Sequence, residues 1–337
     1  MKRILGMGNA LVDIMIPLEN DGILEILGLP KGSMQLVDMK HSNSILEILK
    51  THERSFSAGG SAANTIHGLA KLGAPVGYIG VIGEDELGGF FVKDMINAGV
   101  EPHMIHSRQE TGRAVALVTP DSERTFATFL GAAIELSAEH FKSTIRHDSH
   151  SERSEGTVSS IFNRYDYFHI EGYLVQNHEL METAAKLAKE NNLTVSLDLP
   201  SYNIVEENRE FLWDIINHYV DIVFANEEEA KAITAKETSE ALNEISKICD
   251  IAIVKTGNKG SLIKSGKEVI PIGIIPVSLL DTTGAGDLYA AGFLYALSTG
   301  KSLKKCGETG ALLAGNVIEV MGSKMAEERW VSILGQI

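Results

Sequence analysis

The sequence is poor in cysteine. Only Cys249 and Cys306 occur in 337 residues, and their spacing fits neither a metal site nor a redox pair. A disulfide framework is thereby excluded, and the usage fits a reducing, cytoplasmic setting. Positive charge is scarce as well: 30 Lys and Arg stand against 45 Asp and Glu, a formal net charge of −15. Such a chain lacks the basic field a nucleic-acid surface requires, and it must hold any anionic ligand by a local positive feature. No uninterrupted apolar run approaches membrane-spanning length. The amino end, "MKRILGMGNALVDIMI", pairs a basic start with an apolar run. Asn9 and Asp13 interrupt that run and no small-residue cleavage site follows, so a signal peptide is not expected. Internal repeats, a nucleophile elbow and zinc motifs are absent too.

What is present is ordinary globular composition, 44% hydrophobic and 22% charged, in a chain long enough for one large core with a smaller appendage. The runs "ILGMG", "VGYIGVIG", "DYFHIEGYL", "LTVSLDL", "VDIVFAN" and "IAIVKTG" read as buried strands. Helical patterns, "HELMETAAKLAKENN" and "EEEAKAITAKETSEALNEISKICD", lie between several of them. This alternation predicts parallel crossovers and an α/β sheet covered on both faces, most clearly from about residue 165 onward. Residues 11–40 and 105–130 differ. They carry strand-like segments with no helix between them, such as "GRAVALVTP" followed by "RTFATFL". Together with residues near 54–58 they predict antiparallel patches forming a small sheet that projects from a single domain spanning 1–337. The polar stretch "KSTIRHDSHSERSEGTVSS", 142–160, reads as a solvated loop insert. His140, His147 and His150 follow no ligand spacing and are not expected to bind metal.

Two motifs are decoys. In "GMGNAL", 6–11, Leu11 replaces the third glycine of a dinucleotide fingerprint, and the residues that follow read as strand. "TGKS", 299–302, ends like a phosphate loop, yet Tyr295 stands where its first glycine belongs. Gly300 closing one helix and Ser302 capping the next explains it better.

The informative stretch is "DTTGAGDLYAAGF", 281–293. It reads as a glycine loop opening into a buried helix. There, backbone N–H groups and the helix dipole make an anion trap without a cationic side chain. Asp287 sits beside the trap, where the dipole is expected to keep it ionised and ready to take a proton from a hydroxyl. Asp281 is expected to fix the loop or face a cation. From the residues alone a plainer alternative stays open, that both aspartates cap a tight turn.

This stretch resembles the second signature of the PfkB, or ribokinase-like, family of carbohydrate and nucleoside kinases over all thirteen residues. The resemblance implies a three-layer α/β/α sandwich with a mostly parallel central sheet and a small β-sheet lid. It implies that Asp287 is the catalytic base and that Gly284, Ala285 and Gly286 form the anion hole. "SAGGSAANTIHGLAKLG", 57–73, is similar to the family's first signature. Gly59 and Gly60 permit close backbone approach, Ser61 can cap the following helix and Asn64 projects one turn in. In the family, the glycine pair and the asparagine contact substrate hydroxyls. "GNALVDI", 8–14, resembles the substrate strand, with Asp13 an acceptor for vicinal hydroxyls and Asn9 beside it.

"FANEEEA", 224–230, matches the family's Asn-x-x-Glu element. Asn226 is then near the nucleotide, and Glu229 is associated indirectly with Mg²⁺, which needs few protein oxygens. "VKTGNKGSL", 254–262, resembles the loop over ATP, with Lys255, Thr256, Gly257 and Gly260. Arg124, in "TPDSERTFATFLGAA", resembles arginines that approach the transferring phosphate, and an exposed salt bridge is its alternative. Gln35 falls near a purine-contacting glutamine of relatives, and Phe126, Phe129 and Tyr173 are candidates for stacking on a base. The resemblance leans toward the adenosine-kinase branch. It implies ATP and Mg²⁺, and a K⁺ site around Asp281 and Thr283 lined partly by carbonyls near Gly322. The acceptor is expected to be a nucleoside or a sugar, with no nucleic-acid or membrane partner, in a monomer or homodimer. The competing classes are a non-catalytic binding protein and a dinucleotide-dependent oxidoreductase.

Overall fold

Glycine-punctuated apolar runs such as Val76–Gly83, buried at every residue, set the centre of the molecule. The computed structural model describes residues 1–121, 123–142, 144–145 and 156–337. Most of the polar 142–160 segment, with His147 and His150, lies outside the described residues. In chain order the strands are β1 (Ile4–Met7), β2 (Leu11–Pro17), β3 (Met34–Leu36), β4 (Ser55–Gly59), β5 (Val76–Gly83), β6 (Val100–Ser107), β7 (Gly112–Val118) and β8 (Arg124–Phe129). A short antiparallel pair, β9 (Thr144–Ile145) and β10 (Gly156–Thr157), follows. The rest are β11 (Tyr167–Glu171), β12 (Thr194–Asp198), β13 (Ile222–Asn226), β14 (Ile251–Lys255), β15 (Ser261–Ser265) and β16 (Glu268–Ile272).

The main sheet runs β16-β15-β14-β13-β12-β11-β1-β5-β6. It is parallel from β14 to β6, and β15 and β16 are antiparallel at one edge. Strand alternation divides its side chains between two cores. Ile222 and Phe224 join Ile66, Phe293 and Trp330 on one face. Val223 and Ala225 join Phe162, Phe168 and Ile216 on the other. Helices cover both faces, which gives the three layers. The parallel direction also gathers strand ends: Glu171, Asp198, Asn226 and Lys255 are the last residues of β11, β12, β13 and β14. They lie along one edge, where ligands of open parallel sheets bind.

The second sheet, β3-β8-β7-β2-β4, is mixed. β2 pairs parallel with β7 and β3 with β8, while β7–β8 and β2–β4 are antiparallel. This corrects the expectation of helix-free antiparallel patches. A helix at Gly22–Leu27 ends at Gly28 (φ 67°), and Asp38 starts another at Met39–Ile48 by accepting from His41 N at 2.7 Å. Residues 105–107 belong to β6 in the main sheet. The long pattern at 227–250 breaks into helices Glu227–Thr234 and Thr238–Ile245, because Ala235 turns left-handed (φ 57°). β2 follows the "GMGNAL" segment as read, and Ser302 caps the helix Leu303–Val317. Among the described residues no helix is long and apolar enough to cross a membrane.

Candidate active site

The helix Ala285–Ser298 begins at Gly284, whose φ of 75° is left-handed. A Cβ on Gly284 would come within 2.7 Å of Ser323 Cβ, so only glycine lets the loop pack there. Ala285 N donates to Thr282 O at 3.1 Å and closes the turn. Asp287, one residue past Gly286, is half-buried where the helix meets the 61–71 helix. Its Oδ1 accepts from Ser61 Oγ at 2.8 Å and its Oδ2 from Asn64 Nδ2 at 3.0 Å. Ser323 Oγ donates to Asn64 Oδ1 at 2.8 Å and so fixes which way the amide faces.

Burial pushes the Asp287 carboxyl up to about 6. The nearby Asp198 carboxylate adds to the rise, and the bonds from Asn64 and Ser61 oppose it. Desolvation outweighs the dipole here, so Asp287 is ionised at neutral pH yet more basic than an ordinary carboxylate. Ser61 does not cap its helix. Gly60 (φ 97°) is the N-cap of Ser61–Lys71, which frees the Ser61 hydroxyl to reach across to Asp287.

The glycine pair brings β4 against β2. A Cβ on Gly59 would lie 2.2 Å from Asp13 Oδ1, and one on Gly60 would lie 2.2 Å from Asn9 O. Asp13 is half-buried in the middle of β2, and burial pushes it to about 6. Lys324 and Arg124 pull it down, while Asp287 pushes it further up, so the two acids share one region. Asn9 Nδ2 donates to Glu171 Oε1 at 2.6 Å, and Ala62 N donates to Glu171 Oε2 at 3.1 Å. Burial raises Glu171 to about 7. Glu171 thereby ties Asn9 to the start of the 61–71 helix.

On the other side of Asp287, Lys255 Nζ donates to Asp198 Oδ1 at 3.0 Å. The same nitrogen lies 3.0 Å from where a Cβ on Gly286 would stand. A cation thus rests against the loop, which corrects the reading of a trap without cationic side chains. Burial works against the Lys255 charge, but Asp198, Glu229 and Asp287 outweigh it and hold its pKa above the ordinary value. Asn226 and Glu229 form a capping box at the helix Glu227–Thr234. Asn226 Oδ1 accepts from Glu229 N at 2.8 Å, and Glu229 Oε2 accepts from Asn226 N at 2.8 Å. Burial raises Glu229 to about 7, with Lys255 pulling the other way. Thr256 is buried, and its N donates to Gly260 O at 2.8 Å across a turn with positive φ at Gly257 and Gly260.

The second sheet enters through Arg124. Its Nη2 lies 2.6 Å from Asp281 Oδ2 and its Nη1 donates to Thr283 Oγ1 at 2.7 Å, with both side chains of the ion pair only 7% exposed. The pair is buried, so the exposed-bridge alternative is excluded. Asp281 also accepts from Thr283 N at 3.1 Å and Gly322 N at 2.7 Å. The Gly322 N–H already binds Asp281, and Arg124 supplies the positive charge. A K⁺ ion at Asp281 would have to displace it, so these residues as arranged do not fit that ion.

Gln35 is exposed on the edge strand β3, opposite Ala127. Phe126 is half-buried on β8, Phe129 lies under the Arg113 guanidinium, and Tyr173 is near Glu229 and Glu171. Sequence reasoning missed Glu171, Asp198, Ser323 and Lys324. The first two carry a readable signal, an acid ending a buried strand. Lys324 carries none: its Nζ is buried without a hydrogen-bond partner, and burial pushes it to about 8 against the pull of Asp94, Asp13 and Asp287. Among the described residues, no group of three His, Cys, Asp or Glu side chains could hold a metal alone. Glu229 fits Mg²⁺ that takes its remaining ligands from phosphates and water, whereas Asp198 is already paired with Lys255.

The family model described as pfkB family carbohydrate kinase matches residues 32–329. Adenosine kinase from Schizophyllum commune is 27% identical over 346 residues, 95% of this chain and 96% of its own. A probable sugar kinase from Rhizobium etli has a solved structure that superposes with a TM-score of 0.84 at 32% identity, covering 100% of this chain and 99% of the other. The structure of adenosine kinase from Sinorhizobium meliloti superposes with a TM-score of 0.84 at 30% identity, with the same coverage.

Proposed function

The chain belongs to the pfkB family of carbohydrate kinases, and on that premise we propose that it phosphorylates the primary hydroxyl of a nucleoside, adenosine foremost. It is an ATP-dependent kinase of a nucleoside or sugar, a phosphotransferase with an alcohol group as acceptor. The observation that carries the reading is Asp287, half-buried, oriented by Ser61 and Asn64, and poised at about 6 beside the glycine loop. A base with a pKa just below the working pH is largely ionised yet still basic enough to accept a proton.

In the proposed reaction Asp287 takes the acceptor hydroxyl's proton. The hydroxyl oxygen bonds to the γ-phosphorus as the bond to the β,γ-bridging oxygen breaks and ADP leaves. Gly284, Ala285 and Gly286 form the hole that meets the developing charge. Asp13 and Asn64 orient the acceptor, with Asn9, Gly59, Gly60 and Ser61 around them. Asn226, Lys255, Thr256, Gly257 and Gly260 line the nucleotide side. Mg²⁺ near Glu229 would neutralise phosphate charge. The second sheet serves as the lid of a single domain. K⁺ is not assigned a place, because Arg124 holds the carboxylate it would need. The two cysteines support work in the cytoplasm and the net charge of −15 a surface that does not bind nucleic acid; the protein acts as a monomer or homodimer, without a membrane partner.

A second reading, a sugar kinase, is favoured by the 32% identity to the Rhizobium etli protein. ADP release measured with adenosine, inosine, ribose and fructose separates the two. The highest kcat/KM is expected with adenosine. A sugar preferred by more than about tenfold would install the second reading, and no turnover with any acceptor would sink the kinase itself.

A further inference from the structure

The glycine loop alone is a modest anion site. Of the amides at 284–286, that of Ala285 already donates to Thr282 O. Gly286 lacks a side chain at the point where the Lys255 ammonium arrives, 3.0 Å from its missing Cβ. Alanine there would press against that nitrogen, so the site keeps the space over Gly286 open to the cation. Lys255 ends β14, Asp198 ends β12, and their bond at 3.0 Å takes one of the three ammonium protons. The side chain is 17% exposed and that of Asp198 7%. A largely desolvated ammonium with protons left over after one anchor is costly to keep unless those protons meet further acceptors.

We propose that Lys255 is a catalytic residue, whose ammonium, held by Asp198, contacts the oxygens of the transferring γ-phosphoryl group above Gly286. The inference rests on the kinase reading and deepens it. The proton, the new oxygen–phosphorus bond and the departing ADP are as described above, and Lys255 neither gains nor loses a proton. It faces charge on the equatorial oxygens that the loop amides cannot neutralise, and lysine is suited to this as a compact charge. Asp198 is a positioning residue: it fixes the ammonium and, with Glu229 and Asp287, keeps it protonated.

The rival account is that Lys255 merely neutralises buried Asp198. Turnover and nucleotide binding are measured for Lys255→Met, Lys255→Arg and the double variant Asp198→Asn/Lys255→Met, which leaves no buried charge unpaired. Lys255→Met is expected to lower kcat about 100-fold, the loss typical of one hole donor, with acceptor KM held within about threefold. Its affinity for β,γ-methylene-ATP with Mg²⁺ should fall about tenfold, and that for ADP should stay within about twofold. Lys255→Arg should recover part of the rate, and the double variant should stay slow. A kcat for Lys255→Met within about threefold of wild type, or a double variant restored to the wild-type rate, overturns the proposal. If the wild-type protein phosphorylates no acceptor, the kinase reading fails, but the comparison of the triphosphate analogue with ADP still decides the lysine's role. Equal affinities for both in wild type and variant would overturn it.

Discussion

The carboxyl edge of the main sheet and the second sheet are built on opposite principles. Along the edge, Glu171, Asp198, Asn226 and Lys255 end successive parallel strands, and Asp287 faces them from the helix start. Burial moves Glu171, Glu229 and Asp287 toward neutrality, so their water has been removed before any ligand arrives. The second sheet exposes Met34, Gln35 and Leu36 on its edge strand and carries lysine pairs such as Lys31 with Asp21 and Asp121 at its surface. It reaches the site through Asp13 and Arg124. The contrast teaches that desolvation, the costly part of an electrostatic site, is concentrated where the two regions meet: burial pushes Asp13 of the second sheet to about 6 as well, while the outer edge of that sheet stays in water.

The comparison breaks most sharply at Asp287. Asp287→Asn keeps both neighbours, because the Ser61 hydroxyl can turn from donor to acceptor while Asn64 still donates. The fold and ligand binding should persist, and kcat should fall on the order of 10³-fold through loss of the base. Near-normal turnover in this variant would remove the body's claim to the chemistry. In the wild type, kcat/KM should decline as pH drops through about 6, the value to which burial raises Asp287, and this limb should vanish from the variant's residual activity.

The second sheet is sharpened by Arg124→Met. The change leaves Asp281 with two backbone N–H bonds but no countercharge. A stability loss of about 2 kcal/mol follows, less than for a buried acid with no partner at all. Turnover should drop about 10- to 100-fold, because the loop carrying Gly284 is no longer pinned. Lysine should not rescue it, since the fork that bridges Asp281 and Thr283 is lost. Wild-type activity in Arg124→Met would mean that the two regions work independently.

Much of this was legible in the chain. The thirteen residues from Asp281 pointed to the loop and helix, and the Asn226-to-Glu229 spacing pointed to a helix start that is in fact a capping box. What stayed hidden depends on contacts between distant segments. Nothing local joins Arg124 to Asp281, or Lys255 to Gly286, and the crossover that pairs β2 with β7 cannot be read as a hairpin. Ser61 looked like a cap because serine before a helix usually is one. Gly60 took that place, and the hydroxyl went to Asp287. The upward shift of Asp287 stayed hidden for a general reason: a helix dipole is visible in sequence, whereas desolvation is a tertiary fact that outweighs it.

The smallest expected effect tests the contrast in stability. Asp287 has a folded pKa of about 6 against an ordinary 3.8, so between these values the folded protein binds a proton that the unfolded chain has lost. Stability from this group is full below about 4 and is lost as pH rises through about 6. Asp287→Asn does not titrate, so its advantage over wild type should open between pH 4.5 and 7.5, by on the order of 2 kcal/mol. Asp121, at the surface of the second sheet, is the mirror case. Hydrogen bonds from Lys31 and Thr119 lower it to about 2. Its contribution is present above about 4 and lost only as pH falls through about 2, so the effect of Asp121→Asn should be flat over the same window. Urea unfolding of the three proteins at both pH values reads the difference directly. A gap for Asp287→Asn that stays constant, or one for Asp121→Asn that changes, would show that the site's acids are no more desolvated than those on the outer surface of the second sheet.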